Sequence, residues 1–210
     1  MADPVGYLAN AERLLSDAEC LHTAGRSRSA STLIVVALEQ MGEFVEALTR
    51  QTYPDADVHM GIFGAKANAH AKRQDALAGH VMNYAFGAYA GRIMAKRLAV
   101  DGVAEENVVE YMLRTQPHHF TEEEQALQGS CPDIEAAQRL MHYVRSNMLK
   151  DLREFGLYEN NNRTFSTDEI THMLELASRV RGILRRSWVT PEPFGLVGVN
   201  IPEGASPGGL

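Results

Sequence analysis

His70, Lys72 and Arg73 share one short stretch, "HAKRQ" at 70–74. An imidazole can move a proton or ligate a metal, and a nearby ammonium or guanidinium can hold a phosphate. The same residues also suit a solvated helix face. Glu39 raises a second question, because it directly follows the apolar run Leu33–Leu38. A carboxylate at the edge of a buried stripe needs a partner. A cross-helix pair with His70 or Lys72 would supply one, whereas a rim position in water would remove the need. A third stretch, "LREFGLYENNNR" at 152–163, brings Arg153 and Tyr158 close to a glycine and three asparagines, residues that favour turns. It reads either as a helix C-cap with a polar turn or as a polar constellation at one end of a helical bundle.

Arginine–histidine pairs matter because a guanidinium can hold a phosphodiester while a neutral imidazole activates an attacking 2′-hydroxyl. Arg73 with His80 and Arg114 with His119 have that composition, but eight histidines among many arginines make chance pairs common. The "PHH" at 117–119 suits an exposed loop. Arg179, Arg181, Arg185 and Arg186 cluster near the end of the expected last helix, where the helix dipole attracts cations with or without a phosphate. No GxxxxGK[ST], HExxH, GxSxG or CxxC is present, which removes a P-loop nucleotidase, a zincin and an α/β-hydrolase of the usual type. His59, Glu39 and His70 share no i, i+4 spacing, so neither a metal nor a cofactor is expected.

The elements that must position these residues read as helices throughout. Asp3-Pro4 opens the first, with apolar positions Leu8, Ala11, Leu14, Leu15, Ala18 and Leu21 at steps of three and four. Gly25 stops it, and a second helix carries a stripe from Ala30 to Leu48; the short connection predicts an antiparallel hairpin. A third helix is expected from about Phe63 to Leu98, with Gly87 and Gly91 as points of bending or breakage. Short helices are expected at 103–114 and 121–127. A long one is expected at 134–156, capped by Asp133 and ended by Gly156. The last, 167–188, opens on the capping box Ser166–Glu169. The expectation is therefore an all-α antiparallel bundle of about five main helices plus one or two short ones. It spans residues 1–188 and is followed by an extended or disordered tail at 189–210, with four prolines and five glycines. The Ala/Gly-rich 85–91 suits a close helix contact, within the chain or in a homodimer.

The totals agree with one domain. The chain has 210 residues, is 45% hydrophobic and carries a net charge of -7, which argues against a generally basic nucleic-acid coat. Two distant cysteines, Cys20 and Cys131, suit reduced thiols. Without a signal-peptide pattern or an apolar run of about 20 residues, a soluble, cytoplasmic protein with no membrane contact is expected.

Three stretches resemble the AbiV-type abortive-infection family, one of the HEPN-like all-α domains. "NAERLLSDAECLHTAGRSRSASTLIVVALEQMGE" (10–43) is similar to that family's opening, with its Ala-x-Glu-Glu-x-Gly-Lys ending. "HAKRQ" resembles its His-Lys-x-Lys segment, and "LREFGLYENNN" (152–162) its Arg-x-x-x-Leu-Tyr-Val-Asp stretch. The chain departs from the pattern at Gln40, at Glu43, at Ala71 and at Glu159-Asn160, and loss of the second acid weakens an acid-pair chemistry. The resemblance implies a cytoplasmic phage-defence effector that a phage protein triggers and that halts growth by cleaving or binding RNA or blocking translation, as a homodimer. Its enzymatic version is a metal-independent RNase with His70 as base or acid, Glu39 as its orienting partner and Arg153 as phosphate clamp. Lys72, Arg73 and Tyr158 would then bind substrate. A phenol is a poor base at neutral pH, which favours either a non-hydrolytic role or a site that uses His70 instead. The competing expectation is a non-enzymatic helical module that binds a protein or small ligand.

Overall fold

A computed structural model describes residues 4–52, 68–104, 107, 111, 120–129, 131–158 and 163–189. Every regular element among them is helical: α1 (Pro4–Thr23), α2 (Ser27–Thr52), α3 (Ala69–Asp101), α4 (Glu122–Gly129), α5 (Pro132–Arg145), α6 (Met148–Leu157) and α7 (Thr167–Val189). The helices form a bundle around α2, which packs against α1, α3, α6 and α7. Ile34, Leu38, Met41 and Phe44 on α2 are fully buried. With neighbours on several sides, α2 has little solvated face, so a polar residue along it must find partners inside the protein.

The first turn is built as its glycine suggests. Gly25 has φ +74°. Its N–H donates to the His22 carbonyl at 3.0 Å and the Arg26 N–H to Leu21 at 2.8 Å, the paired bonds of a Schellman stop. The Ser166–Glu169 capping box also forms: the Ser166 N–H donates to Glu169 Oε2 at 2.7 Å, and the Glu169 N–H to Ser166 Oγ at 3.2 Å. A second box, Thr121–Glu124, opens α4. Glu124 also takes a bidentate grip from Arg97 of α3, and Tyr89 donates its hydroxyl to the Glu124 carbonyl.

Four expectations need correction. Helix α3 starts at Ala69, capped by Asn68, whose side chain accepts the Ala71 N–H, and it runs unbroken through Gly87 and Gly91 to Asp101. Residues 53–67, including the expected start at Phe63, lie outside the described residues. The expected helix 134–156 is two helices, because Asn147 adopts φ +59° and turns the chain onto α2. The N-cap of α5 is Cys131 rather than Asp133, with Pro132 in the first turn. Gly156 does not end a helix: α6 continues to Leu157, and Tyr158 is its extended C-cap. A Cβ at Gly156 would lie 1.9 Å from Thr32 Oγ1 and 2.8 Å from the Arg28 carbonyl, so this glycine lets α6 approach α2. Arg28 fastens the junction, with Nε donating to the Phe155 carbonyl at 2.7 Å and Nη2 to that of Tyr158. The seven described helices agree with the expected all-α bundle of about five main helices plus one or two short ones. Most of the helix expected at 103–114 and residues 190–210 of the expected tail lie outside the described residues.

Gly156→Ala should destabilise the protein by about 1–3 kcal/mol through overpacking, read as a lower urea midpoint with an unchanged slope; an unchanged midpoint would mean that α6 and α2 separate freely. Glu124 yields a second prediction. Its carboxyl is held down at about 2, first by the Arg97 hydrogen bonds and with the help of Thr121, against burial, which raises it. The folded value lies below the ordinary 4.5, so its stabilisation is complete above that pH and is lost as pH falls towards about 2. The Tm of the wild type should fall more steeply over that window than the Tm of Arg97→Met; parallel acid profiles would remove Glu124 as the cause.

Candidate functional site

Glu39 lies on the central helix and is only 4% exposed. Three elements that are distant in sequence converge on it. His70, in the first turn of α3, places Nδ1 2.7 Å from Glu39 Oε2. Arg153, in the middle of α6, donates from Nη1 to Oε1 at 3.3 Å. Gln74, buried one turn beyond His70, donates from Nε2 to the same Oε1 at 3.4 Å. Two local features of the backbone make the meeting geometrically feasible. Gly42 on α2 lies so close to α3 that a Cβ there would be 2.3 Å from the Arg73 carbonyl. The turn at Asn147 lays α6, and with it Arg153, along α2.

The outward side of the cluster remains free for chemistry. The His70 side chain is 46% exposed and that of Arg153 23%. Among the described residues His70 makes no bond beyond Nδ1, and Arg153 none beyond Nη1. A carboxylate only accepts, so the Nδ1 proton of a neutral His70 points at Glu39 and the Nε2 lone pair is free. Among the described residues nothing bonds Nε or Nη2 of Arg153 either. Beside them, Arg73 forms an ion pair with Glu43, one turn after Glu39.

No family model matches the chain, and neither a curated protein nor a solved structure matches it. The site must therefore be read from its own geometry.

Of the six residues singled out in the sequence, Glu39, His70 and Arg153 meet. Lys72 is exposed and makes no contact with Glu39. Arg73 is engaged by Glu43, so it is not a free substrate ligand in this conformation. Tyr158 is 61% exposed, and the Arg28 bond to its carbonyl ties down its backbone rather than its ring. Gln40 looks the other way and accepts from Asn10 of α1 at 2.9 Å. An acid there would not join this cluster. His80 is not paired with Arg73: its Nε2 bonds Ser187 Oγ at 3.0 Å, and burial pushes its pKa down. Arg179 and Arg186 pair with Asp133, and Arg185 with Glu12, so these three of the late arginines are engaged in ion pairs. His59, Arg114, His118 and His119 lie outside the described residues. Among the described residues no group of His, Cys, Asp and Glu could hold a metal, and no helix is long and apolar enough to cross a membrane. Both cysteines are free thiols.

Gln74, Glu43 and Gly42 were the members missed. Gln74 closes "HAKRQ" at i+4 from His70 and Glu43 stands at i+4 from Glu39, so helical spacing placed each on the face of a recognised residue.

Removing partners should have unequal effects. Arg153→Met strands much of the charge on Glu39 and should cost on the order of 2 kcal/mol. Glu39→Leu removes the buried charge, lets His70 and Arg153 hydrate and leaves only the neutral Gln74 amide without its acceptor, so it should cost less. Urea unfolding of both variants checks the order; the reverse order would show that Glu39 is not the buried centre of the network.

Proposed function

We propose that the protein is an abortive-infection effector of the AbiV-like type, a HEPN-like domain that halts host growth by cleaving RNA. One observation carries this reading: His70 is held through Nδ1 on a buried carboxylate while, among the described residues, nothing bonds its Nε2 or the remaining donors of Arg153 beside it. Buried Glu39 fixes the tautomer and stabilises the imidazolium that forms, which is the role of the orienting acid in other carboxylate–histidine pairs. Nε2 takes the proton from a ribose 2′-hydroxyl. The 2′-oxygen then bonds to phosphorus, the bond from phosphorus to the 5′-oxygen breaks, and the imidazolium returns the proton to that leaving oxygen. Arg153 neutralises the phosphoryl oxygens as charge develops. The sequence resemblance supports the biological setting: a cytoplasmic dimer, silent until a phage protein engages it, with RNA or the translation machinery as its target.

A second reading has its own support. Glu39 has three partners, so the cluster can serve as a polar clasp joining α2, α3 and α6 in a non-enzymatic module that binds a protein or small ligand. In that case Glu39→Ala lowers Tm and function together.

For the enzyme, activated protein should cleave RNA in the presence of EDTA, and His70→Ala should reduce the rate by about 10²-fold or more, well beyond what its fall in Tm accounts for. Absence of cleavage in any activated state, with toxicity retained in His70→Ala, would refute it.

A further inference from the structure

We infer that Gln74 is a positioning residue that keeps Glu39 aimed at His70 when Arg153 turns to a phosphate. This rests on reading the cluster as a phosphate-handling site. Gln74 and Arg153 donate to the same oxygen, Oε1, at 3.4 and 3.3 Å, while His70 alone occupies Oε2 at 2.7 Å. The two donors to Oε1 differ in kind. Arg153 is a partly exposed cation whose other two nitrogens meet no partner among the described residues, so an arriving phosphate competes directly for it. Gln74 is buried and neutral, has no attraction for an anion comparable to that of Arg153, and sits on the same helix face as His70.

If Arg153 were the sole donor to Oε1, its departure would strand a buried acceptor, and the carboxylate would rotate to recover a bond. That rotation would draw Oε2 away from His70 and release the tautomer. Gln74 keeps Oε1 bonded throughout. Being uncharged, it does so without cancelling the negative charge that stabilises an imidazolium. The close approach of Gly42 to the Arg73 backbone holds α2 and α3 at one spacing, so the donor cannot drift from the carboxylate. Arg153 is thus the exchangeable partner of Glu39 and Gln74 the permanent one.

The test reads the ¹⁵N shifts of the His70 imidazole in mildly alkaline buffer, without and with inorganic phosphate, in the full chain. Wild type should keep the proton on Nδ1 in both conditions, with phosphate shifting the Arg153 guanidinium resonances. Gln74→Met should match wild type without phosphate and move towards a mixture of tautomers with it. Gln74→Asn keeps an amide but falls one methylene short; it should behave like Gln74→Met and provides a second variant should the first fail to fold. Equal tautomer populations in a folded variant and wild type with phosphate bound would overturn the proposal, as would a wild type whose Arg153 signals ignore phosphate. RNA cleavage is not read in this experiment. A chain that passes it and leaves RNA intact in every activated state would therefore refute the RNase reading alone.

Discussion

A charged carboxylate buried in the central helix governs this structure. Glu39 follows six apolar residues on α2 and is nearly sealed from water. An ionised carboxylate in that setting is tolerable only with donors around it, and α2 supplies none of the three it has. They arrive from α3 and α6, so the arrangement of those helices and the satisfaction of one side chain are the same problem. A hydrophobic residue of similar volume at this position would be tolerated at least as well by the fold. The placement of the charge therefore points towards chemistry at the half-exposed His70 more readily than towards stability.

The backbone resolves that problem with small residues and one left-handed turn. Gly42 and Gly156 stand where α3 and α6 come closest to α2, and in each case a Cβ would collide with atoms of the opposing helix. Their importance lies in distance: hydrogen bonds near 3 Å tolerate little displacement, and a helix pushed outward by a methyl group would carry its donor beyond reach. Asn147 contributes direction. It divides α5 from α6 and lays Leu149 and Leu152 into the core on the way to Arg153. The Arg28 bonds to the last carbonyls of α6 hold that helix end against α2.

Much of this was legible in the residues, for reasons that mark where legibility ends. The helical faces of α1, α2 and α7, the stop at Gly25 and the Ser166–Glu169 cap follow from local chemistry, and the structure repeats them. The break at Asn147 was not legible, because the apolar spacing of 134–156 continues across it and tertiary packing decides the turn. Gly156 was misread for a related reason. A glycine near a helix end resembles a terminator, and its close contact with Thr32 is visible only once α2 and α6 are placed. At the site, the apolar run before Glu39 raised the need for a partner without deciding between burial and a rim position, and His70 was one of two partners it offered, with Lys72. That Arg73 would be engaged by Glu43 while Arg153 reached Glu39 depended on crossing geometry that no spacing within one helix encodes.

The two oxygens of Glu39 give the cluster its internal logic. Oε2 serves one imidazole at a short distance, and Oε1 is shared by two more distant donors. Shared, longer bonds are individually weaker, so one of them can be exchanged at modest cost while the short one persists. The donor nearer to water is the cation, and the donor sealed in the core is the neutral amide. An incoming anion would compete for the first and leave the second in place. Were the positions reversed, with arginine buried and glutamine at the rim, the same three bonds would form a static clasp with no guanidinium to offer. On the proposed reading, the division between a fixed, oriented imidazole and an exchangeable guanidinium is what would separate a site able to handle phosphate from a satisfied polar core.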